Sequence, residues 1–245
     1  MQKTTSWILI LVLASSLLGL AAVAVTPASG QTDTPVVIVL TADGPISPAM
    51  AEYLARGIEV AERRGAEALI FQINTPGGAV TTMNAMVQDI LASQVPVIVY
   101  VAPRGGMAAS AGTIITLAGH AAAMAPETMI GAASPVGSEG EDLGETMAAK
   151  EQNALAATVR ALAERRGPEA VAFAEATIRQ ASAASASEAL EIGLVDFIAS
   201  DLDDLLSSLD GFPVTLNGKT VTLNTTGAQI EQISISFIEQ LLLIL

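Results

Sequence analysis

Cysteine is absent from this 245-residue chain, and aromatic residues make up only 3% of it. The absence of cysteine excludes disulfide bonds, a thiolate zinc site and a cysteine nucleophile. Basic residues are also scarce, because 11 lysines and arginines stand against 25 aspartates and glutamates, and the formal net charge is −14. Nucleic-acid binding requires a basic surface, so this charge argues against a nucleic-acid partner.

Apolar residues still make up 51% of the chain, and they are mostly aliphatic. Apolar runs of strand length alternate with amphipathic stretches of helical length, which predicts an α/β fold with a mostly parallel sheet. The strand runs are residues 35–42, 68–74 and 95–101, and the helical stretches between them are 47–65 and 79–93. The Asn-Gly pair in "PVTLNGKTVTLN" (213–224) predicts a β-hairpin.

Both ends of the chain are apolar. Lys3 precedes a long apolar run that ends in "TPASG", which predicts a signal peptide or an N-terminal membrane anchor over residues 1–30. The rest of the chain is then expected outside the cytoplasm. The final "ISISFIEQLLLIL" is interpreted as the start of a transmembrane helix over 229–245, with the full protein continuing beyond it. A globular domain is therefore expected over residues 31–228.

Ser110 stands in "MAASAGT", at the junction between an apolar strand run and a small-residue helical stretch. It is either a small residue at a tight helix–sheet contact or a nucleophile. The one histidine of the chain, His120, follows ten residues later. On one helix the two would be about 15 Å apart, which is outside hydrogen-bond reach. The spacing therefore argues against a Ser-His-Asp triad and favours a structural role for His120.

Lysine is the other common base for a serine, and Lys150 is the candidate. Lys3 lies in the targeting segment and Lys219 lies beside the hairpin turn, whereas Lys150 begins a long helix after the acidic loop 135–145. A lysine amine accepts a proton only when it is neutral, which requires burial away from carboxylates. The small apolar neighbours of Lys150 fit that requirement, although a solvated helix face is the ordinary alternative.

A Gly-Gly pair follows the second strand run in "NTPGG" (74–78). Two backbone N–H groups are needed to hold the oxyanion in acyl transfer. Gly78 is the candidate for one donor, and Ala111, which follows the serine at a helix N-terminus, is the candidate for the other. The alternative is that "PGG" marks an ordinary turn.

The order of these motifs resembles that of the NfeD family, membrane-bound serine proteases of the Clp-protease/crotonase superfamily that are related to signal peptide peptidase A. The resemblance is carried by "INTPGG" (73–78), 95–137, 150–167, 185–206 and 210–224. It implies a Clp-protease/crotonase-like fold of repeated ββα and βα units with a mostly parallel sheet and a C-terminal β-hairpin. It also implies a Ser-Lys dyad of Ser110 and Lys150, with oxyanion donors from the backbone of Gly78 and Ala111.

The function implied by the resemblance is that of a membrane-associated serine endopeptidase on the extracytoplasmic face. Its expected substrates are hydrophobic peptides or segments of membrane-associated proteins, such as stomatin- or prohibitin-like partners, and it is expected to form homo-oligomers. No metal, cofactor or nucleic acid is expected. Two alternatives stay open: a crotonase-like acyl-CoA enzyme, and a catalytically inactive membrane-anchored scaffold.

Overall fold

A computed structural model describes residues 34–137, 144–237 and 239 of the chain. The predicted N-terminal targeting segment and most of the acidic loop lie outside the described residues. So do residue 238 and residues 240–245 at the predicted membrane segment.

The described residues form an α/β domain built on a six-stranded parallel sheet in the order β11-β1-β2-β3-β5-β8. Its strands are β1 (Val36–Asp43), β2 (Ala68–Asn74), β3 (Val97–Val101), β5 (Ala121–Met124), β8 (Phe197–Ile198) and β11 (Gln229–Ile233). A three-stranded sheet contains β4 (Met107–Ala109), β6 (Met129–Gly131) and β7 (Ala183–Ser185), and the hairpin consists of β9 (Pro213–Leu216) and β10 (Lys219–Thr222). The predicted α/β class, parallel sheet and hairpin are confirmed.

Seven α-helices of the described residues connect and cover these strands. They are α1 (Pro48–Arg64), α2 (Val80–Ala92), α3 (Ala111–Ala118), α4 (Glu145–Ala163), α5 (Pro168–Arg179), α6 (Ala186–Glu191) and α7 (Leu202–Leu209). Their ends follow local chemistry: the Ser47 side chain accepts a hydrogen bond from the Met50 N–H at the start of α1, and Gly65 ends it at φ +58°. Ser185 and Glu188 form a capping box on α6.

Alternate residues of each central strand enter cores on opposite faces of the sheet. In β2, Phe71 packs into the larger core, which the helices α1 to α6 cover, and Ile70 packs into the smaller core beneath α7 and the hairpin. Both residues are fully buried. Burial on both faces explains why these strands are continuous apolar runs rather than alternating ones.

The C-terminal region differs from the expectation. Residues 229–233, placed in the membrane segment by the sequence, form β11 and pair in parallel with β1, so the boundary drawn at 228 moves to at least 233. The Tyr53 hydroxyl donates a 2.5 Å hydrogen bond to the Ile233 carbonyl oxygen. Arg56 pairs with the buried Glu239 at 2.7 Å and extends this contact. Within the described ranges, no helix is both long enough and apolar enough to cross a membrane.

Candidate active site

Ser110 occupies a sharp turn between β4 and α3. Its backbone has φ +53° and ψ −120°, a conformation that few residues other than glycine adopt. The turn is fixed at both ends, because the Ser110 N–H donates to the Gly131 carbonyl oxygen at 2.9 Å and the Thr113 N–H donates to the Ser110 carbonyl oxygen at 3.0 Å. The result is a half-buried serine in a strand–turn–helix arrangement, at the N-terminus of α3.

The side chain of Thr113 stabilises this turn through two hydrogen bonds. It is fully buried, and its hydroxyl accepts from the Gly131 N–H at 3.0 Å and donates to the Ala108 carbonyl oxygen at 2.9 Å. The side chain therefore joins the strand before Ser110 to β6. The sequence analysis did not identify Thr113, since a threonine in an apolar helix carries no signal of its bonding partners.

The Gly-Gly loop after β2 lies directly against Ser110. A Cβ atom built on Gly77 would be 2.6 Å from the Ser110 Cβ and 3.0 Å from its Oγ, and Gly77 has φ +114°. The buried Thr75 fixes the loop: its Oγ1 accepts from the Gly77 N–H at 3.1 Å, and its backbone bonds to Met107 and Ala109 on β4. Glycine is required at position 77 for both space and conformation.

The backbone N–H groups of Gly78 and Ala111, the two predicted oxyanion donors, have no acceptor in the part of the chain that the structure describes. Gly78 packs so closely on Ile46 that a Cβ would lie 2.3 Å from the Ile46 carbonyl oxygen. Ala111 is the first residue of α3, where helix geometry leaves N–H groups unsatisfied. Both N–H groups are close in the chain to the serine turn or to its contacts, since Gly78 follows Gly77, which contacts the serine, and Ala111 follows Ser110.

Lys150 is placed differently from the burial that the sequence analysis expected. It lies in the second turn of α4, which packs against α3 and α5, and its side chain is exposed. Within the part of the chain that the structure describes, no hydrogen bond joins it to Ser110. The local sequence around Lys150 is apolar, but Met147 and Ala154, which share its face of the helix, are exposed as well and do not bury the amine.

His120 lies beyond the far end of α3 from Ser110 and is 8% exposed. Its Nδ1 accepts a 3.0 Å hydrogen bond from the Val97 N–H. Burial lowers the pKa of His120 to about 4, with a smaller contribution from the positive charge of Arg165. The structural role predicted for His120 agrees with this placement. In the described ranges no group of three or more carboxylate or imidazole side chains is arranged to hold a metal ion.

Comparison with known proteins identifies the family. A sequence profile of the N-terminal domain of NfeD1b matches residues 36–213. The chain belongs to this NfeD family. It is 38% identical over 173 residues to the membrane-bound protease PH1510 of Pyrococcus horikoshii, a match that spans 70% of this chain and 39% of that protein. It is 36% identical over 104 residues to the membrane protein NfeD1b of Bacillus subtilis, a match that spans 42% of this chain and 23% of that one.

Solved structures show the same relationship. A lysine-to-alanine variant of the 1510-N membrane-bound stomatin-specific protease, in complex with a substrate peptide, has a TM-score of 0.78 at 34% identity and covers 85% of this chain and 96% of its own. A serine-to-alanine variant has a TM-score of 0.75 at 34% identity and covers 83% and 99%. The two substituted positions are 41 residues apart in that chain.

The ClpP-like fold is confirmed by a second, more distant structure. ClpP1 from Listeria monocytogenes has a TM-score of 0.55 at 20% identity and covers 68% of this chain and 94% of its own. At this identity the similarity concerns the fold alone. The NfeD chain therefore has the α/β architecture of ClpP and of the 1510-N protease.

Proposed function

We propose that this NfeD chain is a serine endopeptidase with Ser110 as nucleophile and Lys150 as general base. The observation that carries the proposal is the strained Ser110 turn against the Gly77-Gly78 loop, with the backbone N–H groups of Gly78 and Ala111 lacking acceptors among the described residues. Ser110 and Lys150 are 40 residues apart, close to the 41 that separate the serine and lysine substituted in the related protease.

The reaction follows from these groups. The Ser110 Oγ attacks the carbonyl carbon of a peptide bond, its proton passes to the neutral amine of Lys150, and the N–H groups of Gly78 and Ala111 hold the oxyanion. The C–N bond then breaks, and the leaving amine takes the proton from Lys150. Water next attacks the acyl-enzyme ester and gives a proton to the same amine, which returns it to Ser110 as the peptide acid leaves.

The proposed mechanism requires the substrate to bury the Lys150 side chain, which is exposed in the free chain. A lysine acts as a base only where it is removed from water, so a bound peptide must cover this side chain. The exposed Met107, Val136 and Met147 lie on β4, after β6 and on α4, and offer apolar contacts for such a peptide. This supports an apolar substrate segment.

The relative's specificity supports the choice of substrate. The 1510-N protease is described as stomatin-specific, and the proposed substrate of this chain is correspondingly an apolar segment of a stomatin- or prohibitin-like membrane protein. We also propose that the chain acts as a homo-oligomer on the extracytoplasmic face, held there by the apolar segment at 1–30. Because the chain matches only 39% of the length of PH1510, these properties are inferred for the whole protein rather than read from this domain.

An inactive membrane-anchored scaffold is the second candidate, and the exposure of Lys150 favours it. The two are separated by incubating the full chain with apolar peptides and analysing the products by mass spectrometry. We expect the wild type to cleave and Ser110→Ala and Lys150→Ala to be inactive, with Ser207→Ala and Lys219→Ala as matched controls on exposed residues that retain activity. Absence of cleavage by every protein would favour the scaffold.

A further inference from the structure

One cavity of the protein, of about 360 Å³, shares no residue with the proposed active site. It lies between the short 3-10 turn Glu164–Arg166 after α4, the segment before β8, and strand β9 of the hairpin. The polar and apolar residues that line it include His120, Arg165, Arg166, Asp196, Phe212 and Val214. A volume of this size exceeds the roughly 30 Å³ that one water molecule occupies in the liquid, so the cavity has room for a larger group.

Arg166 is buried at this cavity with part of its guanidinium unsatisfied. The side chain is 3% exposed, and its Nη1 bonds to Asp196 Oδ2 at 2.9 Å. Its Nε and Nη2 are shielded from solvent, and neither has a hydrogen-bond partner among the described residues. Unpaired N–H groups on a buried cation are costly, so an acceptor for this edge would stabilise the fold.

The cavity is lined by one more positive than negative side chain. Arg165 donates only to carbonyl oxygens at the end of α3, those of Leu117, Gly119 and His120. Burial and the neighbouring Arg166 lower the pKa of Arg165 to about 10, so it stays charged at neutral pH, whereas His120 is neutral there. Asp196 is the one carboxylate that lines the cavity, and it also accepts from the Ala122 N–H at 2.8 Å. Two guanidinium groups therefore face one carboxylate.

We propose that this cavity binds a small oxyanion, a carboxylate or phosphate group, through the Nε–Nη2 edge of Arg166. That edge presents two parallel N–H groups at the spacing of two oxygens of one carboxylate or phosphate, the geometry of bidentate arginine pairing. Both atoms are shielded from solvent in the free chain, so an oxyanion reaches them only with a small movement of the side chains that line the cavity. The apolar side chains of Phe212 and Val214 on the hairpin side lower the local dielectric and strengthen the attraction.

The bound group would join the end of α4 to the hairpin. Arg166 belongs to the turn between α4 and α5, whereas Phe212 and Val214 belong to the last part of the chain before β11. A ligand that binds the folded chain and not the unfolded one raises stability in proportion to the logarithm of its concentration. Anion binding is therefore measurable as a saturable gain in stability, separately from any peptidase activity.

The test uses the full chain in detergent, with inorganic phosphate, acetate and chloride compared at equal ionic strength. Thermal unfolding gives the stability gain, and isothermal titration calorimetry gives the affinity. We expect a saturable gain from phosphate or acetate but not from chloride, and the stronger of the two identifies the preferred class. Arg166→Lys keeps the charge but loses the paired N–H groups and should weaken binding at least tenfold, whereas the exposed Arg63→Lys should not change it.

A second variant should change the affinity for the anion in the opposite direction. Asp196→Asn removes the competing carboxylate, so its affinity for the anion should rise even where the variant protein is itself less stable. The proposal is overturned if the wild type gains no more from phosphate or acetate than from chloride, if Arg166→Lys binds as tightly as the wild type, or if Asp196→Asn binds no tighter. The first two outcomes leave Arg166 as a structural cation without a ligand, and the third places any bound anion away from the Arg166–Asp196 pair.

Discussion

His120 predicts a specific acid sensitivity of this fold. Its pKa is lowered from 6.5 to about 4 because the ring is buried and Arg165 lies nearby, and its Nδ1 is occupied by the Val97 N–H. An unfolded chain protonates this histidine near pH 6.5, whereas the folded chain resists protonation until about pH 4. The unfolded state therefore binds more protons throughout that interval, and stability falls as the pH falls through it.

The magnitude follows from the size of the shift. Each pKa unit corresponds to 1.36 kcal/mol. The free energy of unfolding therefore does not depend on His120 titration above pH 6.5, falls by about 3 kcal/mol between pH 6.5 and 4, and is not changed further by this group below pH 4. That loss is a large fraction of the 5–15 kcal/mol that is typical of folded domains. Since the chain has one histidine, no other imidazole contributes.

The assay is urea unfolding at a series of pH values for the wild type and His120→Asn. The asparagine oxygen can accept from the Val97 N–H but does not titrate, so the acidic residues that both proteins share cancel in the difference. The difference in unfolding free energy should shift by about 3 kcal/mol in favour of the variant between pH 6.5 and 4. A difference that is independent of pH would refute the reasoning.

Three further substitutions test the site and the core. Gly77→Ala adds a methyl group against Ser110 and should lower the rate of peptide cleavage on the order of 100-fold, because the oxyanion loop is displaced; an unchanged rate would contradict the close contact. Thr75→Val removes the acceptor of the Gly77 N–H and should lower both the turnover number and the unfolding free energy, the latter by about 1–2 kcal/mol in urea unfolding. Tyr100→Phe removes the hydrogen bond to the Ala199 carbonyl oxygen and should cost about 1 kcal/mol in the same assay without affecting cleavage.

Much of the fold is predictable from local patterns. The run 68–74 coincides with β2, and the hairpin forms around the Asn-Gly pair at 217–218, because burial on both faces and turn chemistry are written in neighbouring residues. β11 was not predictable in this way. Its pairing with β1 joins segments almost 200 residues apart, and an apolar C-terminal sequence is equally compatible with a membrane segment.

The candidate site is also predictable only in part from local sequence patterns. The sequence predicts Ser110 and the Gly-Gly loop as site candidates because the order of the motifs resembles that of the NfeD family, whereas each motif alone has an ordinary alternative. It does not identify Thr75, Thr113 or the contact of Gly77 with the serine, since these depend on how β4 packs between β2 and β6. The exposure of Lys150 is likewise a property of helix packing rather than of its apolar neighbours in the sequence.

The central claim is that Ser110 is a nucleophile activated by Lys150, and covalent labelling tests it most directly. The full chain is treated with an apolar fluorophosphonate, which reacts with activated serines, and the modified residue is located by mass spectrometry. The account predicts a single adduct on Ser110, absent from Ser110→Ala and formed far more slowly in Lys150→Ala, with Lys219→Ala labelled as fast as the wild type. Labelling of Lys150→Ala at the wild-type rate, or no labelling of Ser110 in any protein, would contradict it.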